Sequence, residues 1–302
     1  MSFMLRKPSI RVQLMVSLLL VSIAGLAQNT ENALLWEISG KKLKKPSYLF
    51  GTYHLLTESY FNEVPKAKSL LEKADGVAVE MEIDSSKLLN MQAAMFMNDK
   101  TISQMISKED AELVSKELQA VFGAPLSAFD RFKPTSITLL LTLMYAQKEN
   151  QDVLAKYTGS PLDVAIATNA RKAGKSVFTF ETMDEQINIL YNSLSLEEQA
   201  RQLVVFMKRK DDMVRSQRDL LNAYMNQDMG KLLADFEQYE KDFGSSAYML
   251  DDRNVRWMEK MGELLSKGNQ FIAVGALHLQ GKKGLVNLLR EQGYTVKAVK
   301  VK

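Results

Sequence analysis

The chain has 302 residues, 46% apolar and 25% charged, with only 15 Gly and 6 Pro; this suits one large domain or two modest ones and excludes collagen-like, low-complexity and disordered classes. The absence of cysteine excludes disulfide scaffolds, Cys-ligated zinc, iron–sulfur clusters and thiol nucleophiles. The formal net charge of +3 is mildly basic, and its distribution along the chain decides what it means.

Residues 1–27 (MSFMLRKPSIRVQLMVSLLLVSIAGLA) carry Arg6, Lys7 and Arg11 ahead of an apolar run from Val12 to Leu26. That run is about 15 residues, short of the ~20 that a membrane-spanning helix uses. Gly25 and Ala27 follow at the spacing of a signal-peptidase site, so a signal peptide cleaved before Gln28 is expected, with an uncleaved anchor as the other reading. Export to the periplasm or surface of a bacterium follows from the first reading. Without those three basic residues the 39 Lys and Arg fall to 36, equal to the 36 Asp and Glu. A nucleic-acid partner therefore loses its electrostatic basis. The short basic stretches at 41–45 (KKLKK) and 282–283 read as solvated turns.

The pattern predicts strands at 33–39 and 47–52 around a Gly-Lys turn, forming a hairpin. A helix is predicted over 64–75, with Pro65 in its first turn and Gly76 ending it. Residues 77–83 (VAVEMEI) alternate strictly and predict a strand, so a strand–helix–strand unit opens the domain. From 85 to 174 helix follows helix, one of them started by Ser160 as N-cap with Pro161 at the first position. A strand is expected at 177–180, helices from 184 to about 265, a strand at 271–274, a helix at 283–292 and a closing strand at 294–301. Strands near both ends and one in the middle imply an α/β fold: a central mixed sheet with long helical insertions, at about 85–174 and 184–266, forming a cap. Residues 28–302 are then one discontinuous domain.

His54 and His278 are the only histidines, and each ends the same local sentence: an apolar strand, then G-x-x-H, then Leu (YLFGTYHL and FIAVGALHL). Glycine at a strand end permits close backbone approach, and the carboxyl edge of an open α/β sheet is where sites lie. Two matched imidazoles without cysteine suggest a divalent ion such as zinc, manganese or cobalt, held by His and carboxylate. Alternation in 77–84 puts Ala78, Glu80, Glu82 and Asp84 on one face, an arrangement costly to bury unless paired. Glu80 is the deepest and the best ligand or base; Glu82 and Asp84 read as exposed or helix-capping. Glu181 also ends a strand, either as a site acid or as a charge at a helix N-terminus. Four strand ends thus offer His54, Glu80, Glu181 and His278. H-E-x-x-H, G-x-S-x-G and a true phosphate loop are all absent.

With LLWEISG, YLFGTYH, VAVEMEID, SPLDVAIATNARKAGKSVFTFETMDEQ, DDRNVRWMEK and FIAVGALHLQGKKGLVNLLREQGYTV in place, the chain closely resembles the TraB/GumN family across essentially its whole mature length. That family includes the animal Tiki ectodomains and is related to the erythromycin esterase/ChaN-like superfamily, so the resemblance implies an EreA/ChaN-like fold. It further implies a metal-dependent hydrolase, a Tiki-like metalloprotease acting on a peptide or other acyl-type substrate. It makes His54 and His278 metal ligands, Glu80 a ligand or base, Glu181 a further acid, and Arg253 with Asn254 polar catalytic residues that steady an oxyanion. Because related proteins bind haem or open a lactone, the alternative is a non-catalytic haem- or small-molecule-binding envelope protein.

Overall fold

A computed structural model describes residues 32–244 and 247–301; the expected signal peptide lies outside the described residues. In chain order the elements are β1 (Leu35–Ser39), β2 (Ser47–Thr52), α1 (Pro65–Lys73), β3 (Gly76–Val79), α2 (Leu88–Ala94), α3 (Lys108–Phe122), α4 (Pro134–Glu149), α5 (Gln151–Leu154) and α6 (Leu162–Lys172). There follow β4 (Ser176–Thr179), α7 (Met183–Asn192), α8 (Leu196–Lys208), α9 (Lys210–Met225), α10 (Met229–Phe243), α11 (Asp251–Ser266), β5 (Gln270–Gly275), α12 (Leu285–Glu291) and β6 (Thr295–Val299).

The strands form one mixed sheet in the order β4-β3-β5-β2-β1-β6. β4, β3, β5 and β2 run parallel, while β1 is antiparallel to both β2 and β6. The β1–β2 hairpin and the β2–α1–β3 unit match expectation, but β5 lies between β2 and β3. Both sheet faces are covered, which is why the parallel strands read as nearly continuous apolar runs. On one face Phe50, Val77, Val79 and Phe271 pack with Ala67 of α1, Ile166 of α6 and Tyr224 of α9. On the other, Trp36, Leu49, Ala78 and Ile272 pack with Trp257 and Met261 of α11 and Leu285 and Leu289 of α12.

The stretches between β3 and β4 and between β4 and β5 are helical throughout their regular structure, and together they build a further core. Val114 and Leu118 of α3, Ile137 and Leu141 of α4, and Leu203 and Phe206 of α8 meet there without the sheet. Neither insertion supplies that core alone, so the cap is a joint product of both. Its helices start on conventional signals: Ser107 and Ser195 accept backbone N–H groups at the heads of α3 and α8, and Thr182 with Glu185 closes a capping box on α7. α9 belongs to both bodies, with Met213 in the cap core and Tyr224 in the sheet core. Tyr224 Oη donates to the Gly51 carbonyl at 2.8 Å, fastening the helix to the end of β2.

Two local expectations are corrected. β3 stops at Val79 instead of continuing to 83, because Glu80 spends its carboxylate on the Gly275 amide, Oε1 to N 2.7 Å, and the chain leaves the sheet there. Beyond it Glu82 pairs with Arg171 and Asp84 caps a short 3₁₀ turn. Ser160 is not an N-cap. Its carbonyl receives the Glu58 amide, a bridge joins Thr57 to Pro161, and α6 begins at Leu162 with no side-chain cap.

Among the described residues no helix is long and apolar enough to cross a membrane. Replacing Tyr224 with Phe should lower stability by about 1–3 kcal/mol in chemical denaturation, since it removes the buried hydrogen bonds to the Gly51 carbonyl and with the Tyr60 hydroxyl and little packing.

Candidate functional site

Parallel register gathers the predicted residues. Thr52 lies beside Gly275, and Val79 lies beside both Ala273 and Thr179. The chain segments that follow these strand ends leave the sheet along one edge, carrying Glu181, Glu80, His278 and His54 in the spatial order of their strands. Gly275 sits at their centre: a Cβ placed there would lie 3.2 Å from Glu80 Oε1 and 3.7 Å from both His54 Nε2 and His278 Cδ2. Gly51, in the other G-x-x-H, serves closeness of a different kind. A Cβ on it would meet Leu279 Cδ1 at 2.8 Å and the Ala276 Cα at 3.0 Å, so it lets the turn after β5 lie against β2.

His278 is 2% exposed and its tautomer is set by its neighbours. Asn254 Nδ2 donates to the His278 and Lys283 carbonyls at 3.2 and 2.8 Å, so Asn254 Oδ1 is an acceptor. The His278 Nδ1–H therefore donates to it at 2.7 Å, and Nε2 keeps its lone pair. Burial lowers the pKa of this imidazole to about 4, with the charges of Arg253 and His54 acting in the same direction and Glu80 opposing. Trp257 packs against the ring at 4.4 Å between centroids. Asn254 has no N–H left for an oxyanion; what it does is orient His278.

His54 is built the same way but faces water, its side chain 72% exposed. Its Nδ1–H donates to Asp163 Oδ2 at 2.8 Å, and Thr52 Oγ1 donates to Asp163 Oδ1 at 2.5 Å. Nε2 is left toward Gly275 and Glu80. The Asp163 hydrogen bond, with the charges of Asp163 and Glu80, raises the pKa of His54 to about 9.

Arg253 joins the remaining groups. Its Nε donates to Glu181 Oε1 at 2.8 Å and Nη2 to Glu181 Oε2 at 2.8 Å, a bidentate pair. Nη2 also donates to Glu80 Oε2 at 2.5 Å, and Nη1 donates to the Met249 carbonyl and to His278 Nε2, both at 3.1 Å. All five N–H donors of a guanidinium are thereby used. Glu181 additionally accepts from Trp257 Nε1 at 2.9 Å and Gln186 Nε2 at 3.2 Å. Helix capping falls to Thr182 and Glu185 instead. Burial opposes the charge on Glu80, but His278, Arg253, His54 and the Gly275 amide together hold its pKa at about 2.

The structure thus brings His54, Glu80, Glu181, Arg253, Asn254 and His278 into one cluster. Sequence reasoning passed over Asp163, Thr52 and Trp257. Asp163 stands in the first turn of α6, where an acidic residue is ordinary, and only its distance to His54 marks it. The donor types suit a divalent ion, but the arrangement does not. Among the described residues no three His, Asp or Glu side chains form a group able to hold one, and Arg253 covers His278 Nε2 and Glu80 Oε2.

Residues 34–298 match the model of the TraB/PrgY/gumN family. Among characterised and catalogued proteins the chain is similar to "Metalloprotease TIKI2" of Danio rerio, at 22% identity over 90% of this chain and 62% of the relative. It is similar in the same proportions, at 23% identity, to "Metalloprotease TIKI homolog" of Amphimedon queenslandica. "Uncharacterized protein YbaP" of Shigella flexneri is 24% identical over 81% of this chain and 88% of its own. The chain therefore spans less than two thirds of the length of the two metalloprotease relatives. No solved structure matches it.

In an NMR titration of the metal-free protein, His54 should titrate near pH 9 and His278 near pH 4, and Asp163→Asn should move His54 down toward ~6.5. Because the folded pKa of His54 is raised, its contribution to stability is present below the unfolded value and is lost as pH rises through about 9.

Proposed function

We propose that this chain, which belongs to the TraB/PrgY/gumN family, is a hydrolase of peptide or related acyl bonds, a Tiki-like peptidase of the bacterial cell envelope. The observation that carries the reading is the pair of oriented imidazoles. Each has Nδ1–H held by a partner, Asp163 or Asn254; His54 leaves Nε2 for the space around Glu80 and Gly275, while His278 Nε2 accepts from Arg253. The names of two relatives, both called metalloproteases, support the reaction class.

In this reading a water beside His54 Nε2 attacks the substrate carbonyl carbon while His54 takes its proton in the neutral form, whose share grows as pH rises toward about 9, so the rate should climb over that range. Asp163 keeps the ring oriented and stabilises the imidazolium that forms, and Glu80 orders the water. Arg253, its five N–H groups already used, contributes only its positive charge to the surroundings in which negative charge develops on the carbonyl oxygen. When the carbon–nitrogen bond breaks, the imidazolium returns its proton to the leaving amine. Glu181, bound on both oxygens, positions Arg253, and Asn254 positions His278. A manganese, cobalt or zinc ion belongs to this reading only where Arg253 gives up His278 and Glu80. The haem-binding alternative gains no support, because His278 is buried against Trp257 with Nε2 taken by Arg253.

The test is hydrolysis of a peptide library by the purified chain, with and without added divalent ions. His54→Ala and Glu80→Gln should each lower the rate by about a hundredfold or more while the protein stays folded. Rates equal to wild type in both variants, or no cleavage by wild type under any condition, sink the reading.

A further inference from the structure

The end of the sheet opposite the candidate site carries a charge pattern of its own. The parallel strands start there, β1 ends there and β6 begins there, as the pairings of Gly76 with Ser176 and Gln270, Ile38 with Ser47, and Ser39 with Thr295 require. The loops at this end hold Lys41, Lys42, Lys44, Lys45, Lys175 and Lys267 against one acid, Asp75. The adjoining helix turns add Lys73 and Lys172, and the acids Glu72 and Glu263. Lys45 pairs with Asp75 at 3.0 Å and Lys267 with Glu263 at 2.9 Å. Lys42, Lys44, Lys73 and Lys172 have no hydrogen-bond or ion-pair partner among the described residues. The hairpin tip holds its lysines at a cost. The Leu43 amide donates to the Gly40 carbonyl at 2.9 Å, and between them Lys41 and Lys42 both take left-handed backbones, with φ of 46° and 62°. This is the two-residue turn in which Asn-Gly is favoured, because other L side chains are strained there. Lys41 gains a place 4.7 Å over the Tyr294 ring; Lys42 gains no partner. A strained, exposed tip that keeps two cations points to a use for the cations.

We propose that this end of the sheet docks on a membrane surface rich in anionic phospholipid. The lysines are spread across the width of six strands, about 25 Å at ~4.8 Å per strand, which suits a plane of headgroups better than one small anion. Residues 28–302 hold equal numbers of cations and anions, so the excess here is matched by acids elsewhere, among them Glu80, Glu82, Asp163 and Glu181 toward the opposite edge. A chain of no net charge is drawn to an anionic plane only through its local excess. Attraction therefore also orients the molecule: the lysines face the lipid, and the candidate site, beyond the far ends of the same strands, faces away from it. Such docking holds whichever bond the site cleaves.

The experiment is co-sedimentation of the full chain with vesicles of phosphatidylcholine alone and of phosphatidylcholine with phosphatidylglycerol added. Wild type should bind the anionic vesicles about tenfold or more better at low salt, and the difference should fade as salt screens it. Lys41→Asn/Lys42→Gly removes two cations and gives the turn its favoured residues. Its binding to the anionic vesicles should weaken about twentyfold, at about fivefold per lysine, while its thermal midpoint holds or rises; a merely structural tip would lose stability instead. Lys42→Glu/Lys44→Glu should bind more weakly still. Lys116→Glu/Lys282→Glu makes the same change in net charge at exposed positions in the cap and beyond the opposite edge, and should bind like wild type. Equal losses in the two charge-reversed proteins overturn the inference, as does unchanged binding in either tip variant. So does a wild type that treats both vesicles alike, including one retained by a soluble acidic polysaccharide in their place. None of these outcomes bears on peptide hydrolysis, which is read separately.

Discussion

Two carboxylates brought together under a sheet edge repel each other and lose hydration, so the cluster exists only if a counter-charge is buried with them. Arg253 is that counter-charge, and the surrounding architecture follows from holding it. α11 supplies it, and one turn later supplies Trp257, which bonds Glu181 and stacks on Phe180. The residue after Arg253, Asn254, crosses to His278 and to the Lys283 carbonyl, tying α11 to the turn after β5. Three side chains of one helix thus fix charge, packing and tautomer. The planar five-donor fork is the reason Arg253 cannot be exchanged for lysine, whose ammonium has three donors and no plane.

The sheet contributes position. Because β4, β3, β5 and β2 are parallel neighbours, residues far apart in the chain arrive at one edge through the pairing of the strands that carry them. Glu80 then closes the geometry by taking the Gly275 amide where a ladder bond would otherwise continue. One side chain ends its own strand and joins the site to its neighbour. The asymmetry between the imidazoles also comes from position: His278, behind α11, is dry and neutral, whereas His54, at the open end of β2 with Asp163, is wet and basic.

Much of this was legible in the amino-acid order, for definite reasons. Apolar runs ending in G-x-x-H announce buried parallel strands with something displayed at their ends, and the central strand positions follow from that. The end of β3 was not legible, since V-A-V-E-M-E-I alternates past the point where Glu80 turns inward, and alternation carries no sign of a hydrogen bond 195 residues away. Ser160-Pro161 reads as a helix start, but a bridge to Thr57 takes precedence. Asp163 is indistinguishable from a charge serving the helix dipole. Arg253 and Asn254 stand in a run of polar residues, DDRNVR, from which nothing local singles out the two that are buried; only family resemblance pointed to them.

The place of β5 in the sheet has a consequence for how the molecule comes into being. β2 and β3 are made early but flank a slot that only residues 270–275 fill. Until residues 270–275 have been synthesised, β2 and β3 stand with their inner edges unpaired. Such late, long-range closure is slow and leaves sticky edges open to other chains. β5 is therefore both the strand that closes the sheet and the lead-in to His278: residues 270–278 bring the missing sheet partner and the second imidazole in the same event.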